Sequence, residues 1–201
     1  MRQLRRRENR ECGTLAIMPA YDDPDRALVE ATQRGDRAAF TALVERHQKP
    51  LYQFAWRLLG DAALAQDATQ EALARAWIKR TSFQFRPGAR YSTWLFQLAR
   101  NAAVDLLRKR REVALDDDAA DLPHTAEDAA IMAQHKEIGE RIASAVAALP
   151  EEQRTAVVLA EYHGHSAREI AMVLRCSPRA AESHLYRAKQ ALRTALADLR
   201  A

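Results

Sequence analysis

The sequence predicts an all-α protein made of two small helical domains joined by an acidic linker. Only six of the 201 residues are glycine and alanine is frequent, a composition that favours helices. Apolar residues recur at spacings of three and four, and no long stretch alternates as a strand does. We expect a flexible basic arm over residues 1–24, a first domain over 25–112, the linker over 113–125 and a second domain over 126–201.

Charge is distributed in blocks that the formal net charge of +4 conceals. Residues 79–111 carry nine Lys or Arg against one acid, and residues 168–200 carry seven against three. Residues 113–130, which lie between them, carry six acids and no Lys or Arg. The basic blocks suit the phosphate backbone of a nucleic acid, which would repel the acidic block.

Several classes of function are excluded by what the sequence lacks. Cys12 and Cys176 are far apart and form no C-x-x-C pair, which argues against a disulfide framework or a zinc site. No nucleophile–base pair or phosphate-binding loop stands out, so we expect no catalytic residue, metal, cofactor or small-molecule substrate. His163 and His165 are expected to be turn or surface histidines. Without a long apolar run or a signal peptide, we expect a cytoplasmic protein that does not insert into membranes.

The first domain is expected to begin with helices whose ends are marked in the sequence. A short helix over residues 28–34 stops near Gly35, and Asp36 caps the next helix. Pro50 is expected to begin a separate helix, because proline suits the first helical position. Gly60 would end that helix.

A helix over residues 62–80 follows, capped by Asp61. Its apolar residues form rows at i,i+4 spacing, which predicts a buried side. The polar residues left on the helix are Gln66, Asp67, Gln70, Glu71 and Arg75. On pattern alone, these residues are best interpreted as a solvated outer face.

The loop over residues 81–91 interleaves aromatic residues with arginine. Phe83, Phe85 and Tyr91 accompany Arg86 in a segment with a Pro-Gly turn. Aromatic rings beside arginine suit stacking on unpaired bases, with contacts to phosphate. The alternative is that the phenylalanines fold back into the core, and the pattern does not separate the two.

Ser92 is expected to cap a helix over residues 93–111 with two distinct faces. Leucine and alanine occupy the core side, and amides and arginines occupy the other, a typical nucleic-acid surface. The basic end of the helix also complements its dipole, which is the alternative explanation of those charges. The polar face is formed by Gln97, Arg100, Asn101 and Arg108, with Trp94 and Asp105 at its border.

The second domain is expected to start at a capping box made by Thr125 and Asp128. This box begins a helix that runs to about residue 148, and Pro150 opens the next helix, which ends near Gly164. The residues expected on the buried side of the first of these helices are Ile131, Ile138, Ile142, Val146 and Leu149.

Two short capped helices follow, joined by a brief turn. Ser166 and Glu169 form an S-x-x-E capping box, and Ser177 with Pro178 starts the second helix. This arrangement, with a basic second helix, is typical of a helix-turn-helix. The alternative is a helical hairpin with a solvated charged face. The side chains offered to a DNA groove are Arg179, Glu182, Ser183, Arg187 and Lys189.

Three stretches, in this order and at this spacing, resemble the sigma-70 family of RNA polymerase sigma factors in its two-domain, extracytoplasmic-function form. Residues 61–77 (DAALAQDATQEALARAW) are similar to region 2.2. Residues 91–111 (YSTWLFQLARNAAVDLLRKRR) resemble regions 2.3 and 2.4. Residues 149–159 (LPEEQRTAVVL), with the helix-turn-helix after them, resemble region 4. The likeness covers nearly the whole chain outside the arm.

The resemblance implies roles for these residues. Core RNA polymerase would be bound by Asp67, Gln70 and Glu71. The −10 promoter element, including a base flipped out of the non-template strand, would be bound by Phe83, Phe85, Arg86, Tyr91, Trp94, Gln97, Arg100, Asn101, Asp105 and Arg108. The −35 element would be bound by Arg168, Ser177, Arg179, Glu182, Ser183, Arg187 and Lys189.

The resemblance also implies partners. The chain would join core RNA polymerase on promoter DNA, its acidic linker would lie in channels that otherwise hold RNA, and an anti-sigma factor would hold it inactive. Two other functions fit parts of the sequence: a stand-alone helix-turn-helix regulator, and a helical adaptor that binds no DNA. Neither is an enzyme.

Overall fold

The computed structural model of the chain describes residues 23–86, 88–114 and 131–200. Within these residues the regular structure is helical, as the sequence predicts. Short 3-10 turns follow the third and the last helix, at Arg80–Ser82 and Ala197–Arg200. The helices are α1 (Arg26–Gln33), α2 (Arg37–Leu59), α3 (Ala62–Ile78), α4 (Tyr91–Ala114), α5 (Ile131–Ala147), α6 (Glu151–His163), α7 (Ala167–Leu174) and α8 (Pro178–Ala195).

Most predicted helix ends are confirmed. The Asp36 carboxylate accepts from the N–H groups of Ala38 and Ala39, and Asp61 accepts from Leu64. Gly60 ends α2 in the left-handed conformation, with φ +68°, which favours glycine because it has no Cβ. These local signals place the corner between α2 and α3 correctly.

The prediction that Pro50 begins a helix is wrong, because α2 is continuous from Arg37 to Leu59 with Pro50 inside it. Proline lacks an N–H and removes one helical hydrogen bond. The helix continues because both of its halves face the same core: Leu43 precedes the proline, Phe54 and Leu58 follow it, and all three are buried. Burial of such side chains contributes about 2 kcal/mol each, which together outweighs the proline's effect of about 3 kcal/mol.

The prediction that Ser92 caps the next helix is also wrong. Helix α4 begins at Tyr91, and the Arg90 carbonyl already accepts from the Trp94 N–H at 3.2 Å. The N–H of Tyr91 donates instead to the carboxylate of Asp23 at 2.7 Å. A residue distant in sequence therefore satisfies the first turn of α4, and no local pattern could have indicated it.

The N-terminal bundle, α1 to α4, is packed through small residues of α3. Ala65, Ala68, Ala72 and Ala76 are fully buried between α2 and α4. Small side chains allow helix backbones to approach closely, so α3 packs tightly on both α2 and α4. The larger Leu64 and Leu73 pack beside them at the edge of the core.

In the C-terminal bundle, α5 to α8, the helix-turn-helix is confirmed in detail. Ser166 and Glu169 form a complete capping box at the start of α7. Ser177 caps α8, whose first residue is Pro178, by accepting a hydrogen bond from the Ala180 N–H. Arg175 ends α7 with φ +55°. The expected burial of Ile138 is wrong, because its side chain is exposed, whereas Ile142 and Val146 further along α5 pack at the core. The side chain of Ile131 lies outside the described part of the chain.

Some predicted features lie outside the described residues. They are most of the arm over residues 1–24, the acidic linker beyond residue 114, the capping box at Thr125 and Asp128, and Pro87 in the loop before α4.

Candidate nucleic-acid interface

The polar residues of α3 lie on the side of that helix turned away from the core. Asp67, Gln70 and Glu71 are exposed, and the alanines at positions 68 and 72 beside them are buried. The helical periodicity therefore brings the three predicted polymerase-binding residues onto one accessible surface.

Arg75 connects this surface to α4. Its Nε donates to Glu71 at 2.6 Å, and its Nη1 lies 3.3 Å from the carboxylate of Asp105. The hydrogen bond with Glu71, and a further one with Asp105, raise the pKa of the Arg75 guanidinium. The i,i+4 spacing of Glu71 and Arg75 is the sequence signal for their pair, whereas no local pattern indicates the contact with Asp105, 30 residues away.

The aromatic residues of the loop before α4 form a cluster rather than an open platform. Phe83 is buried, and its ring centroid lies 4.9 Å from that of Phe85, 5.3 Å from Tyr91 and 5.4 Å from Trp94. Tyr91 is also buried, and burial together with the charge of Asp25 raises the pKa of its hydroxyl. Phe83 and Tyr91 therefore support the loop, whereas Phe85 and Trp94 are half-buried at its surface.

Gln33 of α1 fixes the same loop, a role that no sequence pattern indicated. Its amide donates to the carbonyl oxygens of Arg80, at 3.1 Å, and Phe83, at 2.8 Å. The guanidinium of Arg26 lies 4.3 Å from the centre of the Phe85 ring, at a cation–π distance. Arg86 remains exposed and donates to Gln84.

The polar face of α4 is divided between solvent and the C-terminal bundle. Arg108 is exposed, and Asn101 and Asp105 are half-buried. Gln97 instead donates to the backbone carbonyl of Met172 in α7 at 2.7 Å. The guanidinium of Arg100 forms an ion pair with Glu151 at the start of α6, and only 15% of the Arg100 side chain is exposed.

The second helix of the helix-turn-helix presents one outward surface. Arg179, Glu182, Ser183 and Arg187 are exposed at helical spacings of three and four, while Ala181 and Ala188 are buried on the opposite side. Lys189 is half-buried and pairs with Glu161 of α6 at 2.7 Å. Ser177 caps the helix through its side chain, so its predicted contact with DNA competes with that cap.

Arg168 lies apart from this surface. Its side chain is packed on Gly88, with guanidinium atoms 3.7 Å from where a Cβ of residue 88 would stand. Arg168 thus faces the aromatic loop of the N-terminal bundle. The sequence predicts instead that it contacts the −35 promoter element together with residues of α8.

His163 and His165 stand at the predicted turn, but their rings pack inward on the N-terminal bundle. The Phe96 centroid lies 4.8 Å from each of the two rings, and Phe54 lies 6.0 Å from His163. Burial lowers the pKa of His163 to about 4, helped by the positive charges nearby, and burial also lowers the pKa of His165. Both imidazoles are therefore neutral at pH 7.

Among residues 23–86, 88–114 and 131–200, no group of three or more His, Cys, Asp or Glu side chains is arranged to hold a metal ion. Nor is any helix in the described part of the chain long and apolar enough to cross a membrane.

Comparison with known proteins identifies the two bundles. The family model for sigma-70 region 2 matches residues 43–113, and that for sigma-70 region 4 matches residues 139–192. The RNA polymerase sigma-H factor of Pseudomonas aeruginosa is 34% identical over 88% of this chain and 96% of its own length. The ECF RNA polymerase sigma factor SigW of Bacillus subtilis is 29% identical over 85% of this chain and 96% of its own length.

Solved structures agree with these relatives. CnrH, in complex with the cytosolic domain of CnrY, matches 89% of this chain and all of its own with a TM-score of 0.67 and 30% identity. The sigma factor RpoE of Bartonella quintana, in complex with the anti-sigma factor NepR, matches 78% of this chain and 96% of its own, with a TM-score of 0.64 and 27% identity. The chain therefore belongs to the sigma-70 family, as a sigma factor of the extracytoplasmic-function type that directs promoter-specific initiation by RNA polymerase.

Proposed function

We propose that this sigma factor reads the −35 element with the outward surface of α8, and the −10 element with α4 and the loop before it. The observation that carries the proposal is the arrangement of Arg179, Glu182, Ser183 and Arg187 on one exposed side of a capped recognition helix. Such a helix fits the major groove, where arginine and carboxylate side chains discriminate between bases.

Replacing the α8 arginines tests the −35 assignment. Arg179→Ala or Arg187→Ala should reduce initiation from a promoter selected with the wild-type protein by roughly tenfold, the effect of one lost base or phosphate contact. Arg193→Ala is the matched control, because Arg193 is exposed in the last turn of the same helix and the charge change is identical. Equal effects at all three positions would indicate that α8 contributes charge alone.

Asn101 carries the −10 assignment. Its amide suits the edge of an adenine, and it is half-buried on α4 between Gln97 and Arg108. Asn101→Ala should impair opening of the −10 region while the variant still co-purifies with core polymerase. Gln48 is an exposed amide on α2, and Gln48→Ala is the control. It should leave both the opening of the −10 region and co-purification with core polymerase unchanged. If Asn101→Ala lost polymerase binding as well, the residue would be structural.

The exposed acidic surface of α3 is proposed to bind core RNA polymerase. Reversing two of its charges, with Asp67→Arg and Glu71→Arg together, should abolish co-purification with core enzyme. The control reverses two exposed acids elsewhere in the N-terminal bundle, with Glu30→Arg and Glu45→Arg. Undiminished co-purification of the α3 variant would contradict this assignment.

The remaining parts of the proposal follow from the same assignment. The acidic segment over residues 113–125 would occupy polymerase channels that hold RNA, a polyanion, and the protein would act in the cytoplasm. An anti-sigma factor is a fitting partner, since the similar CnrH and RpoE were both solved in complex with a second protein. Tight, specific promoter binding by the free chain would instead favour a stand-alone regulator.

A further inference from the structure

The loop before α4 is fastened to α1 in its described part, residues 80–86. The side-chain amide of Gln33, at the last position of α1, donates to the carbonyl oxygen of Arg80 at 3.1 Å and to that of Phe83 at 2.8 Å. One of these carbonyls lies at the start of the 3-10 turn Arg80–Ser82, and the other follows the turn directly. A single amide therefore fixes the backbone on both sides of this turn, next to the ring of Phe83.

Gln33 is a fixed support because α1 itself is anchored in the N-terminal bundle. Val29 and Thr32 of α1 are each only 2% exposed. Just before the helix, the Asp25 carboxylate lies 2.7 Å from Nε2 of His47 in α2. Movement of Gln33 away from the loop would disturb these buried contacts, so the amide holds the loop in one position.

Two further contacts join the same part of the chain to the loop. The guanidinium of Arg26 lies over the Phe85 ring, 4.3 Å from its centre. The carboxylate of Asp23 accepts from the N–H of Tyr91, where the loop enters α4. We call Asp23, Arg26 and Gln33 the α1 brace. The brace holds the loop near its start, at Phe85 and at its junction with α4.

The α1 brace determines which aromatic surface a base can reach. Phe83 is 6% exposed and supports the cluster from within, with its ring centroid 4.9 Å from that of Phe85 and 5.4 Å from that of Trp94. Phe85 and Trp94 are half-buried, and Arg26 covers part of Phe85. Stacking needs these rings in a set orientation, and a loop that is ordered before binding loses little conformational entropy when a base arrives.

We propose that Gln33 is a positioning residue for base recognition, whose amide holds the loop in the conformation that receives an unpaired base of the −10 element on Phe85 and Trp94. This inference rests on the −10 assignment made above. Gln33 has no need to contact DNA, because its NH₂ group already donates to both carbonyls of the loop. Without these bonds the loop has to become ordered as the base binds, which weakens the binding of that base.

The test uses the holoenzyme, assembled from core RNA polymerase and the full-length chain. The probes are fluorescent single strands that cover the −10 region of a promoter selected with the wild-type protein, one intact and each of the others with one abasic position. The readout is the ratio of the affinity for the intact strand to the affinity for an abasic strand. Phe85→Ala identifies the position that the loop reads, as the one at which this variant abolishes the difference between the two strands.

Gln33→Met removes the donors while it keeps the length and the helix propensity of the side chain. Gln48→Met is the matched control, because Gln48 is an exposed amide on α2 and the chemical change is the same. If Gln33→Met fails to assemble with polymerase, Gln33→Asn replaces it with the same readout, since its amide is one methylene too short to reach both carbonyls.

At the position read by the loop, wild type and Gln48→Met should bind the intact strand about tenfold more tightly than the abasic strand, the effect of one stacked base. Gln33→Met should bind the intact strand about tenfold less tightly than wild type does and the abasic strand equally well, so its ratio falls toward one. Loss of folded protein cannot imitate this result, because it changes both affinities of one preparation by the same factor.

The outcomes separate the role of Gln33 from the −10 assignment. If Gln33→Met keeps a ratio near ten, whether or not both affinities fall, the positioning role is wrong and the −10 assignment stands. If Phe85→Ala abolishes the difference at no position, the loop reads no base, and both the −10 assignment of the loop and the role of Gln33 are wrong.

Discussion

Asp25 and Asp23, just before α1, connect three helices of the N-terminal bundle. The Asp25 carboxylate lies 2.7 Å from Nε2 of His47 and accepts from Arg46, both in α2. Asp23 accepts from the N–H of Asp25 at 2.9 Å and from that of Tyr91 at 2.7 Å. Burial by itself would raise the pKa of Asp25, but the bonds with His47 and Arg46 outweigh it and lower the pKa.

Asp25→Asn should therefore lower the free energy of unfolding by about 2 kcal/mol, because the charge-assisted bonds become ordinary ones and Arg46 loses its counter-charge. Urea denaturation at pH 7 measures the change. Glu30→Gln is the control: its pair with Arg26 is exposed, with 3.6 Å between the charged atoms, and should contribute less than about 0.5 kcal/mol.

The same pair of variants gives an acid signature. Because the pKa of Asp25 lies below its ordinary value of 3.8, its contribution is fully present above pH 3.8 and is lost as the pH falls through the lowered pKa. The difference in stability between wild type and Asp25→Asn should shrink in that range. A difference that is constant with pH would show that packing, not charge, is what Asp25 supplies.

At the scale of the element, α2 carries a proline that its packing tolerates. Pro50→Ala restores the missing N–H and should raise the free energy of unfolding by about 1–2 kcal/mol, less than the full effect of proline because the native helix has adapted around it. Lys49→Ala, an exposed neighbour, is the control for the change in helix propensity. Lower stability of Pro50→Ala would show that a bend at Pro50 is needed to seat Leu43 and Leu58 together.

Helix ends that local side chains cap were predictable, and those capped from a distance were not. Asp36, Asp61, Ser166 and Ser177 act on backbone groups two or three residues away, so the sequence pattern contains the whole interaction. The start of α4 depends on Asp23, 68 residues earlier. The low helix propensity of proline likewise predicts a helix break at Pro50. The helix nevertheless continues, because the side chains on both sides of Pro50 are buried in the same core.

At the scale of the whole molecule, the sequence of α4 predicts which side of the helix is polar, but not which groups contact that side. Amides and arginines suit a nucleic acid, and the same groups suit a backbone carbonyl such as Met172 O or a carboxylate such as that of Glu151. Gln97 and Met172 are 75 positions apart, and Arg100 and Glu151 are 51 positions apart. Helical periodicity gives no signal for contacts at such separations. Phe83 illustrates the same limit, because an aromatic residue in a loop fits stacking and burial equally well.

His163 and His165 lie where the C-terminal bundle packs on Phe54 and Phe96 of the N-terminal bundle, and they should make this packing sensitive to pH. His163 is neutral while the bundles are packed together, because burial, with the nearby charge of Arg57, lowers its pKa to about 4. Arg90 and Glu169 face His165, and His47 lines the same cleft. When the bundles separate, the pKa of His163 returns toward its ordinary value of 6.5.

The molecule with separated bundles consequently binds a proton that the packed molecule does not, and it gains population as the pH falls below about 6.5. Between pH 7.5 and pH 5.5 the ratio of packed to separated molecules should fall roughly tenfold through His163 alone. The radius of gyration of the wild type, measured by small-angle X-ray scattering, should rise over this range. His163→Phe, which keeps a ring against Phe96, should weaken this dependence and leave the part that His165 contributes, whereas His184→Phe on α8 should keep all of it. An identical pH response in wild type and His163→Phe would mean that another group controls the opening.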